Sequence, residues 1–288
     1  MRKKFPITEL CEAFGVSRSG YHNLGKREPG KRSRANEQLL HQMRIIHSER
    51  HTRCYGSPRM TRELRALGIA CSENRVARIM HSNGLRARPR RPFRPKTTQP
   101  DHAAHPSPNL LSEAGSPAAP GAQLVSDITY IPTREGWLYL AVVIDLFSRA
   151  ILGWKLSDSL HATLVVDATT RAIDSGLVPR GAIFHSDRGC QYSAAITREL
   201  LARHGLRQSM SAKGYCYDNA FSESAFASIK SEVLCDGLLF DSKRAATTAL
   251  FDYFETFYNR RRLHSSLGYL SPNAFLNTHF QNQKPHLN

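Results

Sequence analysis

Apolar and polar positions change period along the chain, and each change predicts an element. Around Ser126, Asp127 and Thr129 the stretch 124–131 alternates or runs apolar. Trp137-Leu138-Tyr139-Leu140-Ala141-Val142-Val143-Ile144 is apolar throughout. Both read as strands, joined by the turn Pro132-Thr133-Arg134-Glu135-Gly136. A third strand is predicted over residues 149–156, after Phe147-Ser148. The period then lengthens to that of a helix over 161–175, where Leu164, Val165, Ala168 and Ala172 share a face. A short strand at 182–185, a helix at 197–204, a short strand at 206–210 and a strong helix at 220–234 follow.

The order βββαβαβα places three strands ahead of the first helix, which excludes a simple alternating parallel sheet. It predicts an α/β fold, a mixed sheet of ribonuclease-H-like type flanked by helices. The first third of the chain reads differently, as an all-α region with two helix-turn-helix patterns. In the first, Thr8 caps a helix over 9–14, Gly15 turns, and Ser17 caps a helix to about Leu24, with Leu10, Phe14, Val16, Tyr21 and Leu24 as the apolar set. In the second, Leu39, Leu40, Met43 and Ile46 fall at helical spacing, as do Met60, Leu64 and Leu67. Gly68 then breaks the chain, Ser72 caps a helix carrying Val76, Ile79 and Met80, and Gly84 ends it. Residues 97–120 hold Pro100, Pro106, Pro108, Pro117 and Pro120 without an apolar period, and read as a linker. Three regions result: a helical region over 1–96, the linker over 97–120, and the α/β core with a C-terminal helical extension over 121–288.

Charge sharpens this division. The 288 residues carry a formal net charge of +16. Residues 1–96 hold 23 Lys and Arg against 7 Asp and Glu, whereas residues 97–288 hold 17 of each. A positive field confined to one region points to a polyanion, most simply nucleic acid. The last helix of that region would turn Arg75 and Arg78 outward, and Arg86, Arg88, Arg90, Arg91, Arg94 and Lys96 follow it. A helix behind a short turn with a basic arm suits a DNA groove and its phosphates. The plain alternative is a three-helix module with a solvated basic surface. The longest apolar run, residues 137–144, is far short of the ~20 residues that span a bilayer. No apolar stretch follows the basic start Met1-Arg2-Lys3-Lys4, so no secretory signal is expected. The cysteines at 11, 54, 71, 190, 216 and 235 lack zinc-site spacing and read as reduced thiols.

The candidate chemistry is three carboxylates. Asp127 lies within the first strand, Asp187 directly follows the strand at 182–185, and Glu223 falls in the first turn of the helix at 220–234. A charge on an apolar strand needs a reason. In a ribonuclease-H-like sheet the first and fourth strands are neighbours, so the two aspartates can converge and the helix can bring the glutamate to them. Such a set offers hard oxygen ligands to Mg²⁺ or Mn²⁺. Two such ions suit an in-line phosphoryl displacement with no protein nucleophile. Asp145, at the end of the second strand before Ser148, competes for the same argument and reads instead as a structural turn residue.

Ser126-Asp127-Ile128-Thr129-Tyr130-Ile131 and the apolar run ending at Asp145 resemble the opening of the OrfB-type transposases of bacterial insertion sequences, the insertion-sequence-three family. Their catalytic core is similar to retroviral integrase. His185-Ser186-Asp187-Arg188-Gly189, Gln191-Tyr192, Ser209-Met210-Ser211, Lys213-Gly214 and Tyr217-Asp218-Asn219-Ala220 before Glu223-Ser224 continue the likeness in order. So do Tyr258-Asn259-Arg260-Arg261-Arg262, His264 and Leu267-Gly268-Tyr269-Leu270-Ser271-Pro272, and, in the basic region, Tyr55-Gly56 and the stretch from Arg75 to Met80. The resemblance implies a catalytic pattern of Asp, Asp, 35 intervening residues, and Glu, which Asp187 and Glu223 meet. It implies a basic residue seven after the Glu, here Lys230, on the same helix face and able to touch DNA phosphate. Cys190 stands where the family more often has Ser. The implied activity is metal-dependent cleavage at element ends and transfer of a 3′-hydroxyl onto DNA. The implied partners are DNA, an upstream OrfA-type product and further copies of the chain on DNA, with no membrane, in the bacterial cytoplasm at the nucleoid. A helix-turn-helix regulator with an inactive core, or a stand-alone nuclease, would share many of these features.

Weaker signals remain. The stretch 25–31 is a near miss to a phosphate-binding loop: Arg32 replaces the required Ser or Thr, and no strand precedes it. His185 reads as a partner behind the carboxylates. Tyr253, Phe254, Phe257 and Tyr258 read as core, and the run 260–262 as either a DNA contact or a solvated surface.

Overall fold

The computed structural model describes residues 5–24, 30–87, 107–211, 220–233 and 239–283. Two short helices open the chain, α1 (Ile7–Ala13) and α2 (Arg18–Leu24). Pro6 precedes α1 and starts the helix one residue before Thr8, so Thr8 lies inside the first turn rather than capping it. Ser17 accepts from the Gly20 amide at 3.0 Å in the first turn of α2. The expected apolar set does not form a core here. Phe14 is 68% exposed and Val16 46%, because two seven-residue helices have too little surface to cover them.

The second pattern folds as read. Helices α3 (Lys31–Ser48), α4 (Ser57–Ala66) and α5 (Glu73–Ser82) enclose Leu39, Met43, Ile46, Met60, Leu64, Val76, Ile79 and Met80. Ser72 accepts from the Arg75 amide at the start of α5. Leu67, expected on the apolar face, caps the end of α4 and is exposed. Gly68 follows at φ +78°, a conformation that side-chain-bearing residues avoid, and so turns the chain toward α5.

A single helical turn, α6 (Leu111–Ala114), precedes β1 (Gln123–Thr133), β2 (Gly136–Asp145) and β3 (Ile151–Ser157). Then come α7 (Ala162–Asp174), β4 (Ile183–Ser186), α8 (Cys190–Ser193), α9 (Ala195–Arg203), β5 (Arg207–Met210) and α10 (Ala220–Val233). The described residues end with α11 (Lys243–Asp252), a π-helical turn (Tyr253–Tyr258), a 3₁₀ turn (Ser265–Leu267) and α12 (Pro272–Gln283). The five described strands lie in the order β3-β2-β1-β4-β5, with β2 antiparallel to both β1 and β3 and with β4 and β5 parallel to β1. This is the mixed, ribonuclease-H-like sheet that the strand order predicts.

The apolar run of β2 is explained by its place. Leu138, Leu140, Val142 and Ile144 face one layer, with Phe226, Ile229 and Val233 of α10 and with Tyr253, Phe254, Phe257 and Tyr258. Ala141 and Val143 face the other, with Leu164, Val165, Ala168 and Ala172 of α7. A strand covered on both faces loses its polar alternation. Helix α7 approaches β3 so closely that a Cβ on Gly153 would stand 2.0 Å from the Ala168 carbonyl oxygen.

Two departures from the expected organisation follow from hydrogen bonds. Part of the stretch expected as a linker lies on the core: Met210 donates to the Pro108 carbonyl and Leu110 to Ser209 Oγ. The basic helices also touch the core. Tyr55 is fully buried among Phe257 and its neighbours. The His51 ring stacks on Phe257 at 4.9 Å, and its Nε2 stands 2.8 Å from Asp252. Arg62 lies over the Tyr269 ring, and Arg261 pairs with Glu49.

Candidate active site

Parallel pairing of β1 with β4 sets Gln123 beside Ile183, Leu124 beside Phe184 and Val125 beside His185. Continued two residues further, past the end of β4, the same register would set Asp127 beside Asp187. Asp127 pairs with Val142 across β2, and Val142 belongs to the layer packed on α10. Alternation along the strand therefore turns the Asp127 side chain toward that helix. Both aspartates are half-buried at the rim of the sheet. The Ile128 amide donates to Asp127 Oδ1 at 2.7 Å, and the Gly189 amide to Asp187 Oδ1 at 3.0 Å.

Tyr192 lies within the field of both aspartates. Its side chain is fully buried and its hydroxyl lies 3.1 Å from Ser126 Oγ. Burial pushes its pKa well up, and the carboxylates of both Asp127 and Asp187 push it further. Lys230, on α10, is half-buried: burial lowers its pKa, and the Asp127 carboxylate draws it back up. The cation thus lies within the field of the first aspartate. Glu223 falls in the first turn of α10, seven residues before Lys230 and on the same side of the helix. Its side chain lies outside the described residues.

His185 is fully buried between β4 and β5, with Nδ1 2.8 Å from Ser209 Oγ and Nε2 3.1 Å from Ser211 Oγ. It braces the strand that ends just before Asp187. Arg188 Nε donates to the Ser211 carbonyl at 2.8 Å, which fixes the turn just beyond. Asp145 has the structural role read from its neighbour Ser148. It is fully buried and accepts from the amides of Gly121, Phe147 and Ser148 and from the Ser148 hydroxyl. It therefore closes the turn between β2 and β3. Cys190 is exposed at the start of α8.

The donor set at the rim is carboxylate oxygen. Two like charges on adjacent strands repel each other unless a cation lies between or beside them. That chemistry fits a hard divalent ion and not a thiolate-selective one.

The remaining site expectations fall out unevenly. Arg78 is exposed on α5, and Arg86 is exposed just beyond the end of that helix. Arg75 is half-buried, and its Nε donates to Asn36 Oδ1 of α3 at 2.9 Å, so its guanidinium braces the helices. Arg88, Arg90, Arg91, Arg94 and Lys96 lie outside the described residues, as does most of the stretch 25–31. Arg260 and Arg261 are exposed, but Arg262 is not a surface group: it is 4% exposed and pairs with Glu232. Tyr192, Glu232 and Asn259 carry roles that pattern reading did not assign. The Asn259 side-chain amide donates to the Ile151 carbonyl and accepts from the Ile151 amide, pinning the C-terminal extension to the edge of the sheet. Its only signal was its place in Tyr258-Asn259-Arg260.

The chain is similar to known proteins over most of its length. Integrase core domain families match residues 117–216 and 204–272, and an HTH-like domain family matches residues 34–93, which takes in most of α3 and all of α4 and α5. The Insertion element IS600 uncharacterized 31 kDa protein of Shigella sonnei is 39% identical over 272 residues, 94% of this chain and 99% of its own. Transposase InsF for insertion sequence IS3A of Escherichia coli (strain K12) is 42% identical over 275 residues, 95% of each chain. Among solved structures, the HTLV-2 integrase catalytic core domain in complex with magnesium (trimeric form) is 17% identical, covers 55% of this chain and 98% of that one, and superposes with a TM-score of 0.42.

Proposed function

The chain belongs to the IS3-type transposases of bacterial insertion sequences, and from that membership we propose that Asp127, Asp187 and Glu223 form one metal-dependent centre that cuts DNA at element ends and joins the freed 3′-hydroxyl to a DNA phosphate. The protein is a DNA transposase, a polynucleotidyl transferase with an integrase core and a helix-turn-helix-like region. The observation that carries the proposal is the β1–β4 register, which leads from Asp127 toward Asp187, with Lys230 in the field of Asp127.

Two Mg²⁺ or Mn²⁺ ions held by the three carboxylates would polarise the scissile phosphate and activate the attacking water or hydroxyl. The chain's own groups do the rest. The amides of Ile128 and Gly189 fix one oxygen of each aspartate, so the pair is oriented before DNA arrives. His185 ties β4 to β5, and Tyr192 contacts β1 at Ser126, each beside an aspartate. Lys230 offers a cation to a phosphate beside the reacting one. The exposed Arg78 and Arg86, with Arg88, Arg90 and Arg91 beyond them, would bind the DNA backbone, and Arg75 would support them by bracing α5. The division of labour is thus a basic binding block over 1–96 and a cutting and joining core over 121–288. Further proposed partners are an OrfA-type product and a second copy of this chain, since an element has two ends to cut. Among the described residues no helix is long and apolar enough to cross a membrane. A DNA substrate places the proposed site of action at the nucleoid in the cytoplasm.

The test is cleavage and joining of labelled element-end duplexes with Mg²⁺. Asp127→Asn and Asp187→Asn should each lose both steps while still retarding the same duplex on a gel. Joining by both variants at the wild-type rate would remove the pair from the reaction. Cutting without joining by the wild-type chain would instead indicate a nuclease.

A further inference from the structure

Helix α10 carries Glu223 and Lys230, and near its end it carries a buried acid. Glu232 is 4% exposed, and both its oxygens are occupied. Arg262 meets it with two bonds of 2.7 Å, Nε to Oε2 and Nη2 to Oε1. The Tyr253 hydroxyl donates to Oε2 at 2.6 Å. A second cation, Arg59, comes from α4 of the basic block and reaches Oε1 at 3.3 Å. Burial alone would raise the Glu232 pKa; the two arginines and Tyr253 bring it below the ordinary value. The remaining side of Arg262 faces His264, 3.1 Å from Nε2, which burial and the neighbouring arginines keep neutral.

One bidentate arginine already balances one buried carboxylate. Arg59 is therefore not needed to neutralise Glu232. Its side chain is 23% exposed and lies over the ring of Tyr55, the fully buried anchor between block and core. The other side-chain contacts of charged groups from the block named above, those of His51, Glu49 and Arg62, land on Asp252, Arg261 and Tyr269. Arg59 is the one of these that lands on the helix of the candidate site. Glu232 is nine residues from Glu223, about 13 Å along a rigid helix. A shift at one end of α10 is carried to the other, and a displacement of about 1 Å at reacting groups can cost about a hundredfold in rate.

We propose that Arg59 is a positioning residue: through Glu232 and Arg262 it fixes the register of α10, so that seating of the basic block on the core sets the rate of strand transfer separately from DNA affinity. The inference rests on the reading of Glu223 as part of the centre.

The test uses the full chain with Arg59→Gln and Arg59→Lys. Four quantities are read: single-turnover joining at saturating pre-cleaved end DNA, Kd for that DNA, the melting transition, and amide exchange across α10. Arg59→Gln should slow joining about tenfold or more, with Kd within about twofold. Its melting transition should be close to wild type, and exchange across residues 225–233 should be faster. Arg59→Lys should restore most of the rate. An unchanged joining rate would overturn the proposal. So would a rate loss matched by weaker binding, which would make Arg59 a DNA contact. Collapse of the melting transition, or unaltered exchange in α10, would overturn it as well. Wild-type joining by Glu223→Gln would strike the site assignment instead, leaving the exchange response of Arg59→Gln as a separate reading of the tether.

Discussion

At the scale of single residues, the same side-chain type takes opposite roles according to its neighbours. Asp127 and Asp187 are half-buried, one within β1 and the other just past the end of the neighbouring β4. Asp145 is fully buried and surrounded by donors. Asp145→Ala should therefore cost about 3 kcal/mol in urea unfolding, since several buried donors lose their acceptor. His264 makes a pH-dependent prediction. The unfolded chain takes up a proton there near pH 6.5, whereas the folded chain holds the ring neutral down to about 2. Below pH 6.5 the unfolded state then binds more protons, so stability falls with acid at up to about 1.4 kcal/mol per pH unit. Chemical denaturation at pH 7 and pH 5 should show that loss, and His264→Gln should flatten it. The contrast between Asp127 and Asp145 was legible, because Ser148 three residues on marks a local turn. The burial of Arg262 was not. A run of arginines has the same pattern whether it is solvated or paired, and its acid lies thirty residues away.

At the scale of elements, legibility followed coverage. β2 was clear because a strand buried on both faces is apolar at every position, and α7 was clear because one of its faces is small and apolar. Gly153 shows why small residues recur at that contact: α7 rests almost on the backbone of β3. Gly153→Ala should force the two apart and cost at least about 2 kcal/mol, measurable as a lower urea midpoint with an unchanged slope. The opening helices illustrate the converse. An apolar period was present in α1 and α2, but a period predicts a face and not the partner that covers it. Phe14 and Val16 are exposed accordingly. The C-terminal extension was legible only as aromatic core positions. Its α11 and α12 have mixed faces, and the side-chain amide of Asn259 replaces the backbone pairing that a strand signal would have marked.

At the scale of the whole molecule, the excess charge and the carboxylate centre lie in different parts of one chain, and the parts touch. The +16 belongs to the helical block, which anchors Tyr55 in the core and sends Arg59 to α10. Replacing both Arg78 and Arg86 by Ala should weaken binding to end DNA and to unrelated duplexes alike. It should also reduce the slope of log affinity against log salt by about 2. The centre itself is tested most directly by one measurement, the joining of pre-cleaved element ends by Glu223→Gln with Mg²⁺ at saturating DNA. Loss of joining to background with binding intact is the expected result. Joining at the wild-type rate would contradict the assignment of Asp127, Asp187 and Glu223 as one cutting and joining centre.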